Sequence, residues 1–395
     1  MLEVNKDALY AIIEPGVSLG ILSRELGRLS DLRAAFPDPP HSASVLANYV
    51  NMGMVESHSK YGVGQELILG LEVVLPTGEV IKTGSWTYPQ IGPHSRYFGP
   101  DLTGLFLSSF GTLGVITKAV IKLFPKPEVV KAKLIGYEDL KSPIKDVGRL
   151  LRQEIADRIF GHNWVLSYKA REVMPKEMEE LIGKKSIPLE LVRKWKEKTG
   201  LPEVFYWVLL EGDPRIVEVK EKMFDEIVSR ENCMEIDEYR EALPGEEEDL
   251  INLAMGKPST VYPQLYMGVK SSYAVMSLHH VLEAWPKIYD GWMNIGCSYG
   301  FPLQAGIKPY QHGRWAMTKF VVSHFHSESQ EDCEKVTSLL RDLLDYGLED
   351  VHQPSSPQGC VLPHVFIKCS HYMLYKQIKS ILDPNGIMHP SLGGW

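Results

Sequence analysis

The segment DLTGLFLSSFGTLGVIT, residues 101–117, constrains the fold more than any other stretch of this chain. Residues 102–109 read as a short helix, 111–114 as a glycine turn, and the β-branched run after it as a strand reaching Leu123. Asp101 caps the helix, because its carboxylate accepts from the free backbone N–H groups of the first turn. Gly111 and Gly114 bracket a turn where backbone can approach a flat or phosphorylated ligand with no side chain in the way. Alone, a helix, a glycine turn and a strand make an ordinary structural connection.

Size and charge narrow the classes. A chain of 395 residues, 44% hydrophobic and 23% charged, can bury large cores and form about two domains. A net charge of -8 with a pI near 5.9 argues against a nucleic-acid partner. No stretch approaches the ~18 uninterrupted apolar residues of a membrane span, and the acidic opening MLEVNKD is not a secretory signal. The cysteines at 233, 297, 333, 360 and 369 form no C-x-x-C pair, which excludes the usual zinc and iron–sulfur spacings. A cytoplasmic protein with reduced thiols is expected.

In chain order, residues 8–17 read as a strand, and a helix follows with Ser18 as N-cap and Leu19, Leu22 and Leu26 on its buried face. FPDPPHSAS, residues 36–44, is a rigid loop: three prolines fix φ, and Asp38, His41, Ser42 and Ser44 supply hydrogen-bonding groups. It runs into the half-apolar VLANYVN, as a buried cofactor requires. Residues 61–84 form a strand, a Pro-Thr-Gly turn at 76–78 and a second strand. Pro125 and Pro127 punctuate a domain boundary. Beyond it, strands are expected at 131–134, 205–210 and 315–325, and helices at 138–155, 214–229, 282–295 and 328–344. The charged residues 174–198 read as a solvated helix. This order suggests an antiparallel sheet with helices on one face. A last helix, 373–382, stops at Asp383-Pro384 before an Asn385-Gly386 turn.

Four ordered segments within residues 11–127, together with ILDPNGIMHP at 381–390, resemble the FAD-linked oxidases of the vanillyl-alcohol oxidase/p-cresol methylhydroxylase superfamily, which includes D-lactate and glycolate dehydrogenases. The resemblance implies an α+β, two-domain PCMH-type fold: an FAD-binding domain at 1–127, a cap domain with an antiparallel sheet at 128–370, and a return to the FAD domain at 371–395. It implies FAD held by the loop residues Pro37, Asp38, Ser42, Ser44 and Asn48, by Gly111, Thr112, Gly114 and Val115 of the glycine turn, and by Asn385. Leu46-Ala47-Asn48 stands where the superfamily has a Gly-Gly-Asn-like turn. The superfamily's N-terminal unit with its Arg-Gly-Gly-Gly-like pyrophosphate loop has no counterpart here, and no other phosphate loop replaces it. A small partner subunit completing the FAD site is expected; a different start codon, or a homologue without flavin, is the alternative.

An FAD dehydrogenase needs a base for the substrate hydroxyl and a cation for any carboxylate. Period-two spacing through YQHGR and SHFH puts His312, Arg314, His324 and His326 on one strand face. Four such groups line a pocket unless some are solvated at a sheet edge. His279-His280, beside an apolar run, reads as structural. The hydroxyacid-oxidising relatives bind a metal through a late Gly-Glu-His-Gly, whereas residues 350–359 read DVHQPSSPQG, so no catalytic metal is expected. The phenol-oxidising relatives' Tyr-Arg pair is missing too, although FGPDLTGLF and the ending GGW resemble that branch. The expected activity is oxidation of an alcohol, hydroxyacid or phenolic substrate by hydride transfer to FAD, with electrons leaving to a partner protein or O2. The competing expectation is a non-catalytic scaffold subunit.

Overall fold

The computed structural model describes residues 3–390 other than 30, 38–40, 52, 54–57, 229–233, 236–244, 259–271, 326–328, 352–354, 357–366 and 368, with the backbone alone at 234–235, 272–276, 323–325 and 355–356. The chain divides into two units. One comprises Met1–Glu128, Asp249–Thr260 and Phe366–Trp395; the other comprises Val129–Glu248 and Val261–Val365. The prolines at 125–127 mark only the first passage between them.

In the first unit, β1 (Glu3–Asn5), β2 (Tyr10–Ile13), β3 (Ile68–Val74), β4 (Val80–Lys82) and β5 (Val115–Lys122) form an antiparallel sheet in the order β1-β2-β5-β3-β4. Alternation decides its two faces. Ala11, Ile13, Leu71, Val73, Ala119 and Ile121 enter the main core, and Tyr10, Ile12, Leu69 and Val120 form a smaller cluster under Trp86. Helix α1 (Leu19–Leu29) buries Leu19, Leu22 and Leu26 in the main core, as their spacing requires. Full burial of each such side chain stabilises the fold by roughly 1.5–3 kcal/mol. Helices α2 (Val45–Val50) and α3 (Leu102–Phe106) are short and capped, and the C-terminal helix Tyr372–Leu382 packs Tyr375, Ile378 and Leu382 on the same core. The β3–β4 reversal turns at Gly78, whose φ of +86° is left-handed.

The second unit is an eight-stranded antiparallel sheet with helices between its strands. Its elements are β6 (Val129–Tyr137), α4 (Ser142–Arg152), β7 (Arg158–Asn163), α5 (Leu189–Thr199), β8 (Val204–Gly212), α6 (Pro214–Ile227), β9 (Met234–Glu235), β10 (Ser272–His280), α7 (Trp285–Ser298), β11 (Gln304–Tyr310), β12 (Trp315–Phe325), α8 (Gln330–Asp345) and β13 (Ser355–Ser356). The strand order is β9-β6-β8-β7-β11-β12-β10-β13. Helices α4, α6, α7 and α8 lie on one face: Asp146 accepts from Tyr137 Oη at 3.1 Å, Trp292 packs on Phe320 at 3.9 Å, and Trp285 stacks on His280.

Two expectations need correction. Residues 174–198 are not one solvated helix. Lys176–Leu181 and α5 are separate helices that bury Met178, Leu191, Val192 and Trp195. Trp195 donates to Ala170 O at 2.7 Å and meets Trp164 edge-on. The charge surrounding it conceals a narrow apolar stripe. Secondly, His312 and Arg314 do not belong to the β12 face. Gln311, His312 and Gly313, at φ 44°, 62° and 74°, form a left-handed turn ahead of Trp315, and period-two alternation holds only for extended backbone.

Candidate functional site

In the first unit the 101–117 segment builds an open ledge. Asp101 Oδ1 accepts from Gly104 N at 3.1 Å and caps α3, while Arg96 pairs with the same carboxylate at 2.7 Å. Burial pushes the Asp101 pKa up, but Arg96 and the N–H of Gly104 outweigh it and hold it below the usual range. Beyond α3 the backbone is left-handed at Ser108, Phe110 and Gly111, with φ of 52°, 51° and 74°. Such geometry costs a non-glycine residue about 1–2 kcal/mol, so other bonds must hold it. Ser108 N donates to Val50 O at 2.8 Å, and Gln65 Nε2 reaches both Val50 O and Ser108 Oγ. Thr112 Oγ1 is joined to Ser109 O and to Tyr375 Oη of the C-terminal helix.

The two glycines have different uses. A Cβ on Gly111 would meet nothing within 4 Å, which leaves that backbone open to a ligand. A Cβ on Gly114 would lie 2.7 Å from Val73 Cγ1, so Gly114 is required by packing. Val115 is 53% exposed beside the turn, and Thr112 is buried.

The loop residues are largely engaged in structure. Ser44 Oγ caps α2 by accepting from Ala47 N and donates to Pro15 O, and Asn48 Nδ2 donates to Ser44 O. Pro37 is buried and Ser42 exposed; Asp38 lies outside the described residues. Leu46 is buried in α2, where no glycine is needed. The close approach comes later: a Cβ on Gly53 would sit 2.6 Å from Asn48 O, and one on Gly64 2.8 Å from Tyr49 Cα. Those two glycines went unread because they stand 5 and 16 residues past Asn48. Asn385 is exposed at the tip of a turn closed by Gly386 N on Asp383 O, ten residues beyond the Tyr375 contact. The open backbone at Gly111 leaves room for the approach of a flat ring.

In the second unit, His312 is exposed and pairs with Glu154 at 3.2 Å, a surface contact that stabilises little. Arg314 is exposed in the same turn. His324 lies in β12 with only its backbone described, and His326 lies outside the described residues. The polar chemistry gathers elsewhere, on the sheet face away from α4, α6, α7 and α8. There Trp207 Nε1, Ser277 Oγ, His279 Nε2 and Gln304 Oε1 are buried with no hydrogen-bond partner among the described residues. Such groups cost about 1–3 kcal/mol each when nothing meets them, which makes this face a candidate for polar ligands.

The His279-His280 pair is divided between the faces. His280, on the helix side, has Nε2 2.7 Å from Thr318 Oγ1 and Nδ1 2.8 Å from Val281 O. His279 points to the other face, with its ring 4.9 Å from Trp315. Burial pushes both pKa values down to about 4, so both rings are neutral at pH 7. The unfolded chain binds protons near pH 6.5 and the folded one does not, so stability falls on acidification from about pH 6.5 to 4. The expected loss is up to about 1.4 kcal/mol per pH unit for each ring. Urea midpoints at pH 6.5, 5.5 and 4.5 check this, and His280→Gln reduces the slope by about half.

His162 of β7 has a carboxylate beside it. Its Nε2 is 3.5 Å from Glu246 Oε2, an ion-pair distance beyond a normal hydrogen bond, and Nδ1 is 3.3 Å from Asn163 O. Burial pushes this imidazole down, but Glu246 and Asn163 O more than offset it, and the pKa is raised. No group of three or more His, Cys, Asp or Glu among the described residues is arranged to hold a metal, and no helix among them is long and apolar enough to cross a membrane.

Residues 1–84 match the FAD binding domain family. The chain is 32% identical over 160 residues to glycolate oxidase subunit GlcD of Bacillus subtilis, covering 39% of this chain and 32% of that protein. It is 29% identical over 193 residues to D-lactate dehydrogenase of Anaerostipes hadrus, covering 48% and 37%. The chain thus spans about a third of the length of these curated relatives. The crystal structure of p-cresol methylhydroxylase with substrate bound superposes with a TM-score of 0.84 at 18% identity, covering 100% of this chain and 78% of that one. The sequence matches are to FAD-linked oxidoreductases over part of the chain, and the superposition shows the shared fold.

Proposed function

We propose that this chain, with its PCMH-type flavoprotein fold and FAD-binding-domain sequence, is the larger part of an FAD-dependent oxidoreductase acting on a CH–OH or similar group. The observation that carries the reading is the left-handed backbone at Ser108, Phe110 and Gly111, open at Gly111 and held by Val50 and Gln65 at Ser108 and by Tyr375 at Thr112. Backbone strain of this kind persists where the surroundings enforce it. Bound FAD would supply the hydride acceptor. Gly111, Thr112 and Val115 would hold its ring, with Ser42, Ser44 and Asn48 on the loop beside it and Asn385 at the closing turn.

In the second unit, His279 Nε2, buried, neutral and without a partner among the described residues, would accept a hydrogen bond from a polar ligand on its own sheet face. His312 and Arg314 stand in an exposed turn. The relatives include proteins named as an oxidase subunit and a flavoprotein subunit, and here too a small companion polypeptide would contribute to the FAD site.

An absorption spectrum beside a denaturing gel tests the reading. Protein purified with its natural companions is expected to show the visible absorption of a flavin and a small second chain. Flavin with this chain alone sinks the companion; no flavin, even after adding FAD and the companion, sinks the oxidoreductase.

A further inference from the structure

The C-terminal helix, Tyr372–Leu382, has two apolar faces and packs only one of them. Its inner face lays Tyr375, Ile378 and Leu382 on the core of the first unit. At 3.6 residues per turn, Met373, Leu374, Gln377 and Ile381 share an adjoining arc of about 100°. Met373, Leu374 and Ile381 are 65%, 59% and 76% exposed, and no residue of the helix is buried. A helix that only closed a core would carry polar side chains on that arc. One exposed apolar residue signifies nothing, but a stripe of them over two turns marks a surface that another molecule covers.

The turn beyond the helix is firmly tied. Asp383 accepts from Ile387 N at 3.0 Å and from Met388 N at 2.9 Å. Lys379 bonds to Asp383 and, at 3.0 Å, to Met388 O. These bonds fix the backbone at Ile387, a further exposed apolar residue just past the helix end.

Place, charge and area together select the occupant. Tyr375 Oη of the same helix is joined to Thr112 of the glycine turn, so a polypeptide lying along the stripe rests on the helix that backs the proposed flavin ledge. Residues 371–382 include Lys376 and Lys379 and no acid. Lys379 is matched by Asp383, whereas Lys376 stands exposed at the border of the stripe with its Nζ 5.5 Å from the Tyr372 ring. Apolar residues flanked by carboxylates complement such a surface. The stripe offers roughly 200–300 Å² of apolar area. Two copies in a stable pair bury about 800 Å² each, and a symmetric pairing about Gln377 would set the two copies' Lys376 side chains near each other. A companion that contributes to the FAD site has further surface to bury there.

We propose that the small companion polypeptide docks on this stripe through an amphipathic segment, with apolar side chains on Met373, Leu374 and Ile381 and a carboxylate toward Lys376. The inference rests on the companion of the proposed oxidoreductase and names where it binds.

A photoreactive benzophenone side chain in place of Ile381, or of the exposed Tyr97 as a comparison, tests it in complex purified from its source, with flavin content measured. The expected product at position 381 joins this chain to the small chain, in several times the yield at position 97. Leu374→Glu with Ile381→Glu should lower the small chain and the flavin recovered together, about tenfold or more, since docking would bury unpaired carboxylates. The far-ultraviolet circular dichroism should not change, because both sites are exposed in the folded chain. Cross-linking at 97 alone, between two copies of this chain or within one chain overturns the docking surface. So does pelleting with phosphatidylglycerol vesicles that the double variant abolishes. A double variant that keeps the small chain and flavin also overturns it and leaves the oxidoreductase reading standing. Flavin bound with no small chain sinks the companion and this surface with it. A small chain held one to one at position 381, in protein that never takes up flavin, supports the surface and sinks the oxidoreductase.

Discussion

Replacing Gly111 with alanine is expected to weaken flavin binding about tenfold or more while the fold loses only about 1–2 kcal/mol. The loss to the fold comes from the left-handed φ of 74°, which a Cβ disfavours. A Cβ there meets nothing within 4 Å of the protein, so packing adds no further penalty. The same methyl group would hold a flat ring off the open backbone. Flavin content per chain, read beside the denaturant midpoint, separates the two effects. Flavin lost with a small shift of the midpoint supports the role; full flavin content removes Gly111 from the cofactor site.

The largest expected stability effect lies at Arg158 and Glu211. Their side chains are 3% and 6% exposed and bonded to each other, and Asp157 beside them accepts from Glu211 N at 2.7 Å and pairs with Lys220. Removing one charge leaves the other buried without its partner, a loss of about 3–5 kcal/mol. Glu211→Leu should therefore lower the denaturant midpoint sharply. The double change Arg158→Met with Glu211→Leu should recover most of the loss, because neither charge then needs solvating. A double variant as unstable as the single one would show that the wider network, through Asp157 and Lys220, holds the pair's energy.

Residues whose roles are set by near neighbours were legible in the sequence. Asp101 caps α3, Leu19, Leu22 and Leu26 face the core, and β12 runs from Trp315 to Phe325 as its β-branched and aromatic content predicts. Each depends on one turn or one alternation, which a short window contains. The same window failed where backbone geometry changed without a clear marker. Three left-handed residues at 311–313 end the alternation that seemed to join His312 and Arg314 to His324. The charges around Trp195 hid its burial in α5.

The resemblance to FAD-linked oxidases was legible in the chain itself, because the glycine turn, the β3–β4 hairpin and the closing Asn-Gly turn are contiguous motifs. Only the tertiary structure could assemble the rest. His162, Gly306, Lys319 and Ser277 come from four strands spread over 157 residues, and the strand order β7-β11-β12-β10 is what makes them neighbours. Likewise His279 and His280 are adjacent in sequence, but the pleat sends them to opposite faces, one to Thr318 under the helices and the other to the polar face. Local sequence fixes which way a strand alternates; long-range pairing fixes which residues it alternates beside, and which polar groups share this face depends on the second.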